Sequence, residues 1–216
     1  MNKIYIFSGL GVDRRVFDNI DFGGLNVEFI DWIPPFKNES LENYADRISR
    51  IITTDTPILI GLSFGGIVAV EISKIIKTKQ IILIASAKNK FELPKFNQVS
   101  GKLKLNKLIP KSVFKKQNFF TNWLFGIETE SDKQLLKDIL NDTDADFFFW
   151  AINEIVTWKN EAIPENVIHI HGNKDHIIPF KNVKADFVIV GGGHFMTVNK
   201  AKEIQNIILS LLKPLK

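Results

Sequence analysis

Short apolar runs recur along the chain, parted by polar or glycine- and proline-bearing stretches. Lys3 to Phe7, Asn26 to Ile30, Pro57 to Ile60, Gln80 to Ala85, Val167 to His171 and Phe187 to Val190 each read as a strand. Runs that are apolar throughout, rather than alternating, belong in a sheet covered on both faces. Helical spacing lies between them. Asp13 to Ile20 reads as a short helix. Ser40 caps a helix to about Ile52, with Leu41, Tyr44, Ala45, Ile48, Ile51 and Ile52 on one face. Ile67 to Lys77 reads as another helix, and Thr197 as the cap of a last one through about Leu212. Trp32-Ile33-Pro34-Pro35 must be loop, because proline can neither donate to nor fit inside a helix. Strands alternating with helices imply right-handed crossovers. The expected fold class is α/β: a mostly parallel β-sheet of about six strands with helices on both faces.

From Ser86 to about Pro164 the rhythm changes, with many lysines and then clustered aromatics. This stretch reads as a mostly helical insertion. The expected organisation is a core of 1–85 and 165–216 with a lid or cap at 86–164. No internal repeat, low-complexity tract or second-domain linker interrupts it.

Composition narrows the class. The chain has 216 residues, 45% hydrophobic and 24% charged, as expected of one soluble domain with a full core. The 18 phenylalanines imply an aromatic core or ligand cavity. Without cysteine there can be no disulfide, zinc–thiolate site or thiol nucleophile, which suits a cytoplasmic location. No apolar run reaches membrane-spanning length. Met1 to Leu10 lacks a small-residue cleavage site and runs into Asp13-Arg14-Arg15, so a first strand is expected there, not a signal peptide.

Chemistry concentrates at Gly61-Leu62-Ser63-Phe64-Gly65-Gly66, between a strand and a helix. A sharp strand-to-helix turn strains the serine and brings backbone close on both sides, where Gly61 and Gly65 have no Cβ to clash. It exposes the hydroxyl at the tip of the sheet, above the positive end of a helix. A serine hydroxyl needs a base within hydrogen-bond reach, and the base needs an orienting acid. There are four histidines. His194 follows the sixth strand in a glycine-rich loop. His171 ends the fifth, His176 lies in the loop beyond it, and His169 sits inside it as an expected core residue. Asp175 follows the fifth strand. The loop after the fourth (Ser86, Ala87, Lys88, Asn89) carries no carboxylate.

With these motifs, and with His171-Gly172-Asn173-Lys174-Asp175 and Gly192-Gly193-His194-Phe195-Met196, the sequence resembles the α/β-hydrolase superfamily over nearly its whole length. The resemblance implies a small, lid-bearing serine esterase with the triad Ser63, Asp175 and His194, in that family's chain order. It implies an oxyanion hole from the backbone N–H groups of Leu10 and Phe64, and no cofactor. The substrate would be a small-molecule ester or thioester with an apolar acyl part. Two departures mark a minimal version. The family's usual first two strands are missing, and Ser8-Gly9 replaces the usual His-Gly of the oxyanion loop. The lid aromatics mostly pack it onto the sheet, while Phe120, Trp123, Phe148 and Trp150 are expected to line the substrate pocket.

Other readings compete. Gly9-Leu10-Gly11 with Asp31 approaches a dinucleotide-binding fingerprint, which would make the protein an oxidoreductase. Arg14 at the third glycine position obstructs it, and it leaves the elbow, Asp175 and His194 unused. His169 and His171 share a strand face and, with Asp175 or His194, could hold a metal. A sheet buried on both faces makes packed histidines the simpler account. The same scaffold could also serve as a non-catalytic small-ligand receptor. Lys95 to Lys116 contains seven lysines and no acid before Glu128. A solvated face is the default for such a run, and an anionic or carrier-protein-bound substrate the sharper expectation. Nucleic acid is not expected, since arginine is scarce there.

Overall fold

A computed structural model describes residues 3–94 and 119–213, leaving out the side chains of Phe119 and Phe120. Lys95 to Lys116 therefore lies outside the described residues. The strands are β1 (Ile4–Phe7), β2 (Val27–Ile30), β3 (Ile58–Leu62), β4 (Gln80–Ile84), β5 (Val167–Gly172) and β6 (Phe187–Ile189). They form one sheet of 6 strands in the order β2-β1-β3-β4-β5-β6. Every pairing is parallel. The chain runs outward one way through β1 and β2 and the other way from β3 to β6. The switch between β1 and β3 leaves a crevice beyond their carboxyl ends, where an open α/β sheet binds its ligands.

Both sheet faces are buried, as the unbroken apolar runs require. Ile4, Ile6, Ile58, Ile60, Ile82 and Ile84 pack on one side with Val16 and Phe17 of a 3-10 turn and with Ile204 and Ile208. The two isoleucines belong to α7 (Ala201–Leu212). Tyr5, Phe7, Leu59, Ile81 and Leu83 pack on the other side, under α1 (Leu41–Ser49) and α2 (Phe64–Ile72). Between β4 and β5 the described helices are α3 (Phe119–Phe125), α4 (Glu130–Asp142) and α5 (Ala145–Thr157). Leu136 and Ile139 of α4 join the first side of the core, Phe147 and Ala151 of α5 the second.

Several helices are shorter than their patterns imply. Asp13 caps a 3-10 turn, Arg14–Phe17, not a helix to Ile20. Ser40 caps α1 as expected, accepting the Asn43 N–H, but α1 stops at Ser49, leaving Ile51 40% exposed. The helix after the elbow begins at Phe64 and ends at Ile72, not Lys77. Thr197 does not cap the final helix: it is buried inside α6 (Met196–Asn199), and α7 starts four residues later.

Candidate active site

The site begins at the end of β3. Ser63 has φ 51° and ψ −117°, a left-handed conformation that strains a residue with a side chain. Its N–H donates to the Ile84 carbonyl at 2.9 Å, and its own carbonyl accepts from Ser86 Oγ at 2.6 Å. The two glycines behave as the motif demands. A Cβ on Gly61 would stand 2.4 Å from Gly66 Cα, and one on Gly65 2.3 Å from the Ser8 carbonyl oxygen. The elbow thus clamps the end of β1 against the start of α2.

Asp175 and His194 come from the next two strand ends. A Cβ on Gly172 would lie 2.2 Å from the Gly192 carbonyl oxygen, so glycine lets the loops after β5 and β6 abut. Lys174 N–H donates to that same carbonyl at 2.9 Å, joining the Asp175 loop to the His194 loop. Ser63 Oγ lies 2.9 Å from His194 Nε2, and His194 Nδ1 lies 2.7 Å from Asp175 Oδ2. The other carboxylate oxygen, Oδ1, accepts the N–H groups of Ile177 and Ile178, both at 2.9 Å. Asp175 is 4% exposed. Burial alone would raise its carboxyl, but the His194 and His171 imidazoles and the Ile178 N–H outweigh it and hold the group below the usual range. An ionised carboxylate needs its facing Nδ1 to carry a proton, which leaves Nε2 free to accept the serine proton.

Of the other histidines, His169 and His171 are completely buried. Burial pushes His169 down to about 2 and lowers His171 as well, so both are neutral. His176 stacks on Trp123, with centroids 4.1 Å apart. Among the described residues, no three histidines or carboxylates are placed to hold a metal.

Gly9, Leu10, Val12, Val16, Leu62, Phe125 and Phe195 surround Ser63 and His194 in a slot of about 10 Å³, room for roughly one water. Leu10 thus borders the serine. Phe64 is the first residue of α2, so its N–H has no carbonyl partner within the helix. Phe125 sets its ring edge against the His194 imidazole at 6.0 Å, and its carbonyl accepts the Phe195 N–H at 2.8 Å. The end of α3 is thereby pinned over the loop that carries His194.

The expected pocket aromatics are placed differently. Trp150 packs on Tyr44 at 4.5 Å and donates its Nε1–H to the Glu39 carbonyl. Phe148 lies against Gly11, and Trp123 against His176. None of these three lines the slot, and the Phe120 side chain is outside the described residues. The residues that do line it include Phe195, which the motif around His194 already displayed. Phe125 carried no signal of its own, because its role depends on where α3 ends.

No family model and no curated protein matches the sequence. Solved structures match throughout. A hydrolase from Pseudomonas aeruginosa PA01 superposes with a TM-score of 0.73 at 13% identity, over 99% of this chain and 90% of that one. MenH from S. aureus gives 0.72 at 17%, over 98% and 93%. A thermophilic esterase from Thermogutta terrifontis gives 0.71 at 14%, over 99% and 90%. The chain has the α/β-hydrolase fold.

Proposed function

We propose that this protein is a serine hydrolase of carboxylic esters or thioesters with an apolar acyl part. The observation that carries the reading is the unbroken hydrogen-bonded chain Ser63–His194–Asp175 on a strained elbow at the sheet's switch point. Ser63 Oγ attacks the substrate carbonyl while His194 Nε2 takes its proton. The resulting oxyanion is held by the Leu10 and Phe64 N–H groups. Collapse of the tetrahedral intermediate breaks the bond to the leaving group, which receives the proton from His194. Water, deprotonated by His194, then releases the acid and regenerates Ser63. Asp175 keeps His194 in the working tautomer throughout and stabilises the imidazolium.

In this reading 86–164 is a cap on a core of 1–85 and 165–216. The apolar walls of the slot, Val12, Val16, Leu62, Phe125 and Phe195, support an apolar acyl group. Seating an acyl group in a slot of that size requires the α3 end to move. The lysine-rich stretch Lys95 to Lys116 would steer an anionic or carrier-bound substrate. Its kcat/KM should then fall with salt, while that of a small neutral ester holds; equal salt dependence would refute steering. The reading as a whole is tested with p-nitrophenyl esters of graded chain length beside acyl thioesters. Turnover of short esters that is abolished in Ser63→Ala is expected. Turnover retained by that variant would overturn it.

A further inference from the structure

The two buried histidines that the proposed reaction does not use form a chain leading to Asp175. His171 Nε2 lies 2.8 Å from the Ile178 carbonyl oxygen. A carbonyl only accepts, so Nε2 carries the proton. His171 is neutral, so its Nδ1 is bare and must accept. It faces His169 Nε2 at 3.1 Å, which therefore carries a proton. One carbonyl thus fixes the tautomers of both rings. His169 Nδ1 is left without a hydrogen-bond partner, with Glu92 Oε2 at 3.9 Å. Glu92 is itself paired with Lys88 at 3.1 Å, and the His169 main-chain N–H donates to Asp186 Oδ2 at 2.8 Å.

On the other side the chain reaches the catalytic carboxylate. Ile178, whose carbonyl His171 holds, is one of the two residues whose N–H groups bind Asp175 Oδ1. The same His171 Nε2 lies 3.6 Å from Asp175 Oδ2, the oxygen that faces His194. Its proton sets a positive dipole end beside that oxygen. The imidazole is fully buried, with the Phe180 ring 6.4 Å away centroid to centroid and 27° from its plane.

We propose that His171, with its tautomer set by His169, is a positioning residue for Asp175. It holds the main chain at Ile178 by its carbonyl, and through the N–H of the same residue the carboxylate, with Oδ2 aimed at His194. The catalytic part of this proposal rests on the serine-hydrolase reading. The geometric part concerns only the Asp175–His194 contact. An imidazole on β5 is a more rigid support than a loop peptide alone, because a strand inside a sheet cannot shift without breaking ladders to β4 and β6.

The test compares wild type with His171→Phe, His171→Gln and His169→Leu, all checked for folding by circular dichroism. Phenylalanine keeps the ring volume and loses the donor. Glutamine can still donate to the Ile178 carbonyl. In His171→Phe, kcat on a p-nitrophenyl ester should fall about 10- to 100-fold, the range expected for a small misplacement of a catalytic group, with KM nearly unchanged. The acid limb of kcat/KM should move to lower pH, because a displaced carboxylate stabilises the His194 imidazolium less. His171→Gln should recover part of kcat. His169→Leu should show a weaker shift of the same sign, and serves if His171→Phe fails to fold. An independent readout is the low-field proton NMR signal of His194 Nδ1–H, which should broaden or move upfield in His171→Phe. Full kcat, an unmoved acid limb and an unmoved signal would overturn the proposal. A wild type inert to both substrate and fluorophosphonate would overturn the hydrolase reading instead, and the NMR signal would still decide the geometric part.

Discussion

Replacing Asp175 by asparagine changes one atom and, on this geometry, the direction of a proton. Oδ1 accepts two main-chain N–H groups, so the amide oxygen of Asp175→Asn must take that position. The amide nitrogen then occupies the place of Oδ2, 2.7 Å from His194 Nδ1. Two donors cannot face one another, so Nδ1 gives up its proton and accepts. The single imidazole proton moves to Nε2, where it points at Ser63 Oγ across 2.9 Å. The serine then has no base. A triad with its tautomer reversed in this way loses about 10⁴ in kcat, or about 5 kcal/mol of transition-state stabilisation. The fold should survive, because both main-chain donors keep their acceptor. The assay is steady-state hydrolysis of a short p-nitrophenyl ester, with thermal melts of both proteins as control. A folded Asp175→Asn protein within tenfold of wild-type kcat would refute the reasoning.

Further outcomes follow from the same contacts. Gly65→Ala places a Cβ 2.3 Å from the Ser8 carbonyl oxygen and 2.5 Å from that of Phe7, both backbone. It should destabilise the fold by about 1–3 kcal/mol in urea titrations and lower kcat as the loop after β1 is pushed aside; unchanged stability would contradict the described clamp. His169 stays neutral in the fold down to about 2, whereas it charges in the unfolded chain below its ordinary 6.5. The unfolded chain therefore binds more protons in that window, and stability falls as pH falls. Between pH 7.5 and 5 this one group should remove about 2 kcal/mol, a loss that His169→Leu should lack.

The sheet and the elbow were legible because each is written in local pattern. Uninterrupted apolar runs mark strands covered on both faces, and Gly61, Ser63 and Gly65 mark a turn in which backbone touches backbone. Helix ends were less legible. Ile75 and Ile76 continue the helical spacing beyond Ile72, but the chain must return in time for Gln80 to pair with Ile58, and Ile75 is left 44% exposed. Thr197 looked like a cap because it precedes an amphipathic run. It is instead buried in a separate turn of helix ahead of α7, and that turn packs against the 3-10 turn Arg14–Phe17. That Ser63, Asp175 and His194 would come together could be read from their places at strand ends. The slot's walls could not, because Phe125 reaches His194 only through the path of the chain between β4 and β5. Trp150 is held by Tyr44 and the Glu39 carbonyl in an interface that sequence spacing does not reveal. The same holds for the contact of His171 with Ile178: the strand pattern shows a histidine, not its partner.

In the proposed reaction Ser63 becomes covalently acylated. The most direct measurement is peptide mass spectrometry of the protein after brief exposure to a fluorophosphonate, and separately after acid quench during turnover of a p-nitrophenyl ester. A phosphonyl adduct is expected, and in the quenched sample an acyl adduct, on the peptide bearing Ser63, with neither in Ser63→Ala. Adducts on another residue, or undiminished labelling of Ser63→Ala, would contradict it.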